Sequence, residues 1–184
     1  GAPRRLTHGR CHDYAPVFLP DGKTIWFSSD RGGKETSNAV SLYAVSVDGG
    51  EPTLLLHREV ADRAAVQATL SPDGRSFACG TIAGFRDNWQ IRLGSAEHPE
   101  DGINLTDARQ CFYGPRWSPA GATLACTGFE VGDAGWGAWL MDARTGRRMR
   151  LEVGPGHSRS PAWSPDGRQI VLENNRTGTY KLYS

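Results

Sequence analysis

The chain has 184 residues, with 21 basic against 20 acidic side chains and a formal net charge of +1; that is enough length for one domain with its own core. The balance lacks the basic excess of a nucleic-acid or anionic-membrane surface, and no apolar run approaches the roughly 18 residues needed to span a bilayer. The opening stretch GAPRRLTHGR has no signal-peptide-like apolar segment.

In chain order, Arg4-Arg5-Leu6-Thr7 reads as the end of a strand, and the first of four similar octads follows. These are FLPDGKTI from Phe18, LSPDGRSF from Leu70, WSPAGATL from Trp117 and WSPDGRQI from Trp163. Their anchor prolines, Pro20, Pro72, Pro119 and Pro165, are 52, 47 and 46 residues apart. A period of roughly 40 to 50 residues is that of stacked supersecondary units, and propeller blades fit it. Ahead of each anchor a short run (APVF, ATL, GPRW, SPAW) reads as a first strand, opened in three copies by a proline (Pro16, Pro115, Pro161). Pro-Asp-Gly then makes a tight turn, proline fixing φ and glycine taking a positive one.

TIWFSS, SFACGT, TLACTG and QIVLEN are apolar second strands. After a variable loop, SLYAVSV, WQIRLGS, AWLMDA and YKLYS read as third strands. Asp48-Gly49-Gly50 and Arg144-Thr145-Gly146 turn into the fourth strands PTLLL and RRMRLEV, with INLT their counterpart in the second unit. The sequence therefore predicts an all-β chain, a β-propeller region of four four-stranded blades at about 14–57, 66–106, 113–153 and 159–184. Two closures are open: strand 3–7 completes the last blade in a ring of four, or the blades are part of a larger propeller, with self-association expected if the ring is incomplete.

These residues resemble a known family. Ser160-Pro161-Ala162-Trp163-Ser164-Pro165-Asp166-Gly167-Arg168, with Leu42-Tyr43, Gly49-Gly50 and Asn104-Leu105-Thr106, is similar to the TolB-type β-propeller repeat, also found in tricorn and prolyl-oligopeptidase propellers. The third copy departs from that pattern at Ala120, where the family has Asp, and the second at Ala68, where the upstream proline is missing. The resemblance implies a periplasmic or extracellular bacterial setting and a non-catalytic scaffold that binds a protein or another macromolecule. The alternative it implies is a propeller that gates or docks substrate for a peptidase or polysaccharide-lyase type domain. The family's peptidases keep their triad in a separate α/β domain, and this sequence carries neither G-x-S-x-G nor H-E-x-x-H.

In a propeller the Pro-Asp-Gly turns lie on one face, and the loops between second and third strands lie on the other, where binding is expected. The candidate rim there is Asp30, Arg31, Arg86, Asp87, Trp89, Glu130, Asp133, Trp136, Asn174 and Arg176. Aromatic faces mixed with charged and amide groups suit a protein, a peptide or a carbohydrate. No cofactor motif is present. Eight residues before each anchor stand His12, Ala64, Cys111 and His157, and convergence of His12, Cys111 and His157 at the channel mouth would suit zinc or a similar transition metal. The four cysteines form no CxxC pair; Cys79 and Cys126 read as small buried thiols, and a Cys11–Cys111 disulfide is a further alternative.

Overall fold

The computed structural model describes residues 2–32, 40–56, 66–82, 88–107 and 109–184. Alternating apolar runs between glycine turns give antiparallel sheets. The first blade is β1 (Asp13–Phe18), β2 (Thr24–Ser29), β3 (Ser41–Ser46) and β4 (Thr53–Leu56). The second is β5 (Val66–Leu70), β6 (Ser76–Ile82), β7 (Trp89–Ser95) and β8 (Ile103–Asn104), with one 3-10 turn at Pro99–Asp101. The third is β9 (Cys111–Trp117), β10 (Thr123–Phe129), β11 (Gly137–Asp142) and β12 (Arg148–Arg150), and the fourth is β13 (Ser158–Trp163), β14 (Ile170–Asn174) and β15 (Lys181–Tyr183). Strands within each sheet follow chain order, as in propeller blades.

The anchor turns are built alike. In the last, Gly167 at φ 70° closes a bond to the Ser164 carbonyl, and Asp166 accepts hydrogen bonds from Ser164 Oγ and the Arg168 N–H. At Ala120 the carboxylate bonds are missing, yet the backbone bond from Gly121 to Ser118 and the bond from Thr123 N–H to Ser118 Oγ remain. The turn therefore survives its substitution.

First strands are longer than the sequence reading. Each starts upstream of the proline position, and each carries a bulge whose residue five before the anchor is left-handed: Ala15, Gln67, Gly114 and Ser160, at φ 51°, 54°, 62° and 53°. Pro16, Pro115 and Pro161 come directly after that residue. Proline is tolerated at a bulge because the ladder is already interrupted there. In the fourth blade the bulge aims the Ser160 N–H at Thr127 Oγ1 of the third, 2.9 Å away.

The core lies between blades. Trp26, Leu42 and Leu56 of the first blade meet Phe77 and Cys79 of the second, and Ala78 and Ile91 of the second meet Phe112, Leu124 and Cys126 of the third. Burial holds the Cys79 and Cys126 thiols up at about 12, so both stay protonated and inert. All four cysteines are free. Repeat tryptophans bridge the seams: Trp117 donates its indole N–H to the Thr69 carbonyl, and Trp163 to that of Arg116.

One of the two expected closures is corrected: the last sheet holds β13, β14 and β15, and Arg4–Thr7 does not complete it. Among the described strands, blade packing runs from first to second to third to fourth. The N-terminal segment lies on the first blade instead, where Leu6 packs with Ile25, Phe27, Tyr43 and Val45 and Arg4 bonds the Val47 carbonyl.

Candidate binding face

The described part of the loop-bearing face carries a cluster of aromatic contacts and several ion pairs. Tyr113, in β9, and Phe129, at the end of β10, both meet the Trp136 ring edge-on, with centroids 5.3 and 4.8 Å apart. Trp89, which opens β7 in the preceding blade, lies 6.4 Å from Tyr113. All four rings are half-buried. Burial raises the Tyr113 phenol above its ordinary pKa, with the Arg159 charge acting the other way, so the hydroxyl stays neutral and able to donate.

The Trp136 loop is braced on three sides. Its backbone N–H donates to His157 Nδ1 at 3.1 Å, so that nitrogen is the acceptor, and the proton of neutral His157 is on Nε2. Glu130 pairs with Arg148 at 2.5 Å and Asp133 with Arg150 at 3.2 Å, while the Glu130 N–H donates to Asp133 Oδ2. In the fourth blade Arg159 pairs with Glu173 at 2.7 Å and stacks on Tyr180 at 3.7 Å. Its hydrogen bond to Glu173 raises the guanidinium pKa further.

The other expected rim residues are spent on structure. Arg31 forms a two-oxygen pair with Asp13 at 2.8 Å and lies over the Phe27 and Tyr43 rings. Burial pushes the Asp13 carboxyl up, but hydrogen bonds from Arg31, Ser29 and Thr7 outweigh it and hold the group low. Asp30 accepts from the His12 ring and backbone N–H, both at 2.8 Å, which lowers its pKa. Asn174 is fully buried and donates to Ser158 Oγ, so it belongs to the blade interior and not to the rim. Arg176 stacks on Tyr183 at 3.6 Å and donates to the Val153 carbonyl. Arg86 and Asp87, like Ala64, lie outside the described residues.

His12, Cys111 and His157 occupy the matching register but do not converge. The His12 side chain is 90% exposed and turned to Asp30, Cys111 is buried, and the His157 ring lies against Gly135 and the Trp136 N–H. Equal register fixes where a Cα stands in its own blade, whereas each side chain leaves toward its own nearest partner. Among the described residues, the one three-residue group with ligand atoms close enough to share an ion is His98, Glu100 and Asp101, exposed at the 3-10 turn.

Sequence reasoning missed Tyr113, Phe129, Arg148, Arg150, Arg159, Glu173 and Tyr180. For Tyr113 and Arg159 a signal existed, since both stand six residues before an anchor proline, as does Tyr14.

Comparison with known proteins agrees with this architecture. No family model matches the sequence. The chain is 27% identical over 169 residues to the uncharacterized protein Atu1656 of Agrobacterium fabrum, covering 92% of this chain and 53% of that protein. It is 28% identical over 175 residues to the uncharacterized peptidase YuxL of Bacillus subtilis, covering 94% of this chain and 23% of that one. Among solved structures, the putative TolB of Agrobacterium tumefaciens superposes with a TM-score of 0.75 at 25% identity, over 93% of this chain and 57% of that one. This is a TolB-like β-propeller. The propellers of TolB from Acinetobacter baumannii (TM-score 0.72, 20% identity, 96% of this chain and 41% of that one) and of a puromycin hydrolase (0.72, 19%, 100% and 33%) share the fold. The TolB-like chain spans about half the length of the Agrobacterium relatives.

Proposed function

We propose that this TolB-like propeller is a non-catalytic module that binds a protein or peptide through its loop-bearing face, with Trp89, Tyr113, Phe129 and Trp136 as the contact. One observation carries the reading: four half-buried rings from two adjacent blades meet on that face, while the charges beside them are neutralised in pairs. Rigid rings supply contact area at small entropic cost, and Trp, Tyr and Arg dominate binding energetics in protein interfaces. The TolB likeness supports a periplasmic setting.

The test is selection of a displayed random heptapeptide library on the wild-type chain. Convergent peptides whose affinity falls at least about tenfold, roughly 1.4 kcal/mol, in Trp136→Ala and Tyr113→Phe/Trp89→Ala support the reading. Absence of enrichment, or binding indifferent to those changes, overturns it; a glycan array run on the same variants would then ask whether the rings stack sugars instead.

A second reading has one observation in its favour, the match to the peptidase YuxL and the puromycin hydrolase propeller. In it the propeller docks or gates substrate for a peptidase or polysaccharide-lyase type domain. A peptide selected on this chain that is also cleaved when the chain is joined to such a domain would distinguish it from the scaffold reading.

A further inference from the structure

The third anchor turn departs from the others, and nothing on the loop-bearing face makes use of the departure. Its residue Ala120 stands where the other turns have Asp21, Asp73 and Asp166. On the face that carries these turns, a cavity of about 210 Å³ opens between the second and third blades. The second blade lines it with Ser71, Asp73 and Ser76, and the third with Trp117 and Ala120. Beside them Gly121 meets Pro72 across the seam, where a Cβ would lie 3.4 Å from the proline Cδ. Each of the two blades has another blade packed on its far side, so the cavity belongs to an interior seam of this chain.

The lining side chains are matched to a cation. Asp73 Oδ1 accepts from Ser71 Oγ at 2.5 Å and from the Arg75 N–H at 3.1 Å. Those bonds, that of Ser71 first, hold the carboxyl below its usual range, so it is an anion at neutral pH. Among the described residues nothing donates to Asp73 Oδ2, and Arg75 acts on the carboxylate only as a nearby charge. Ser71 Oγ is spent, because it also accepts the Ser76 N–H at 3.0 Å, whereas the Ser76 hydroxyl can still accept. The Trp117 indole N–H is spent on the Thr69 carbonyl at 3.3 Å, which fixes the half-buried ring against the second blade. Arg116 lines a separate cavity toward the fourth blade and donates to the Pro115 carbonyl. An aspartate at position 120 would add a second carboxylate to this wall, and the alanine methyl leaves that room open. Two oxygen acceptors, one of them anionic, beside an indole suit a planar cation with several N–H donors. Guanidinium stacks on aromatic rings and donates in a fixed fork, which a compact ammonium cannot do.

We propose that this seam is a second binding site, which takes an arginine side chain presented by a polypeptide. The guanidinium stacks on Trp117 and donates to Asp73 Oδ2 and Ser76 Oγ. The site is on the face opposite the aromatic cluster, and it is independent of the reading of that cluster.

The test is an NMR titration of the 184-residue chain with N-acetyl-arginine amide, whose capped ends stand in for a polypeptide. Saturable shifts are expected at the Trp117 indole N–H and the Ser71–Ser76 amides, with a Kd on the order of millimolar for so small a probe. The uncharged isostere N-acetyl-citrulline amide should bind at least about tenfold more weakly, and added salt should weaken the arginine probe, because the ion pair is solvent-facing. Asp73→Asn removes the charge while its amide oxygen can still accept from Ser71 and Arg75, so the turn is retained. Ala120→Leu fills the cavity and leaves the carboxylate in place. Each variant, once shown to melt like the wild type, is expected to lose at least about tenfold in affinity, equivalent to roughly 1.4 kcal/mol. Absence of saturable shifts at the seam overturns the proposal, as do shifts confined to the Trp89 and Trp136 indoles, equal binding of the citrulline probe, or folded variants that bind undiminished. Free L-arginine binding more tightly than the capped probe would overturn the assignment to a polypeptide and make the amino acid the ligand.

Discussion

The left-handed bulge residue of each first strand gives a sharp test of how the blades are held. Gln67 has φ 54° and an exposed side chain, so Gln67→Gly removes little packing and isolates the backbone. A non-glycine residue in the left-handed region costs about 1–2 kcal/mol, and glycine returns about 0.4–1 kcal/mol of that through the greater freedom of the unfolded chain. The net expectation is a stabilisation of about 0.5–1 kcal/mol, or roughly 1–4 °C in Tm for a chain of this size. The reciprocal change is Gly114→Ala at φ 62°. Its added methyl meets only Gln67 Oε1, at an ordinary 3.5 Å, so it should cost about 1 kcal/mol from the backbone alone. Thermal unfolding by circular dichroism, with Gln67→Ala as the side-chain control, reads all three. A lower Tm for Gln67→Gly than for Gln67→Ala, or no loss in Gly114→Ala, would refute the claim that these bulges are strained and held by blade packing.

The other expectations are independent of that one. Trp163→Phe removes the indole bond to the Arg116 carbonyl and should cost about 1 kcal/mol in chemical denaturation, with Trp117→Phe similar through Thr69. Ala120→Asp should raise Tm by restoring the carboxylate that the other anchor turns use. Asp21, Asp73 and Asp166 have pKa values lowered chiefly by hydrogen bonds from Thr24, Ser71 and Ser164. The unfolded chain therefore binds protons first, and their contribution is present above about pH 4 and lost as pH falls below it; a Tm profile from pH 7 to 3 checks this, and Asp166→Asn should flatten it. With a thiol reagent at pH 8, Cys11 should react rapidly in the native chain, and Cys79 and Cys126 only after denaturation.

What could be read from the sequence was whatever repeats as chemistry. Pro-Asp-Gly can form few structures, so four copies located the second strands to within a residue or two, and β2 and β7 match the expected runs TIWFSS and WQIRLGS. The bulges were hidden for the opposite reason. Ala15, Gln67, Gly114 and Ser160 share a backbone conformation but no side-chain property, and what imposes that conformation on Ser160 includes Thr127 of another blade. The pairing of some polar rim residues was hidden for a related reason. Arg31, Asp30 and Asn174 look like free polar groups in a loop, yet their partners Asp13, His12 and Ser158 stand 16 to 18 residues away across a first-to-second strand pair.

Counting residues could align those pairs but could not tell a polar group facing solvent from one closing its own blade. The proposed binding face rests on that distinction. Among the described residues weighed for the rim, once the self-paired groups are subtracted, the aromatic cluster of Trp89, Tyr113, Phe129 and Trp136 remains. On the proposed reading, a ligand for this face is selected by shape and apolar contact, and salt should affect its binding little; a strong salt dependence would mean that one of the ion pairs opens to meet it.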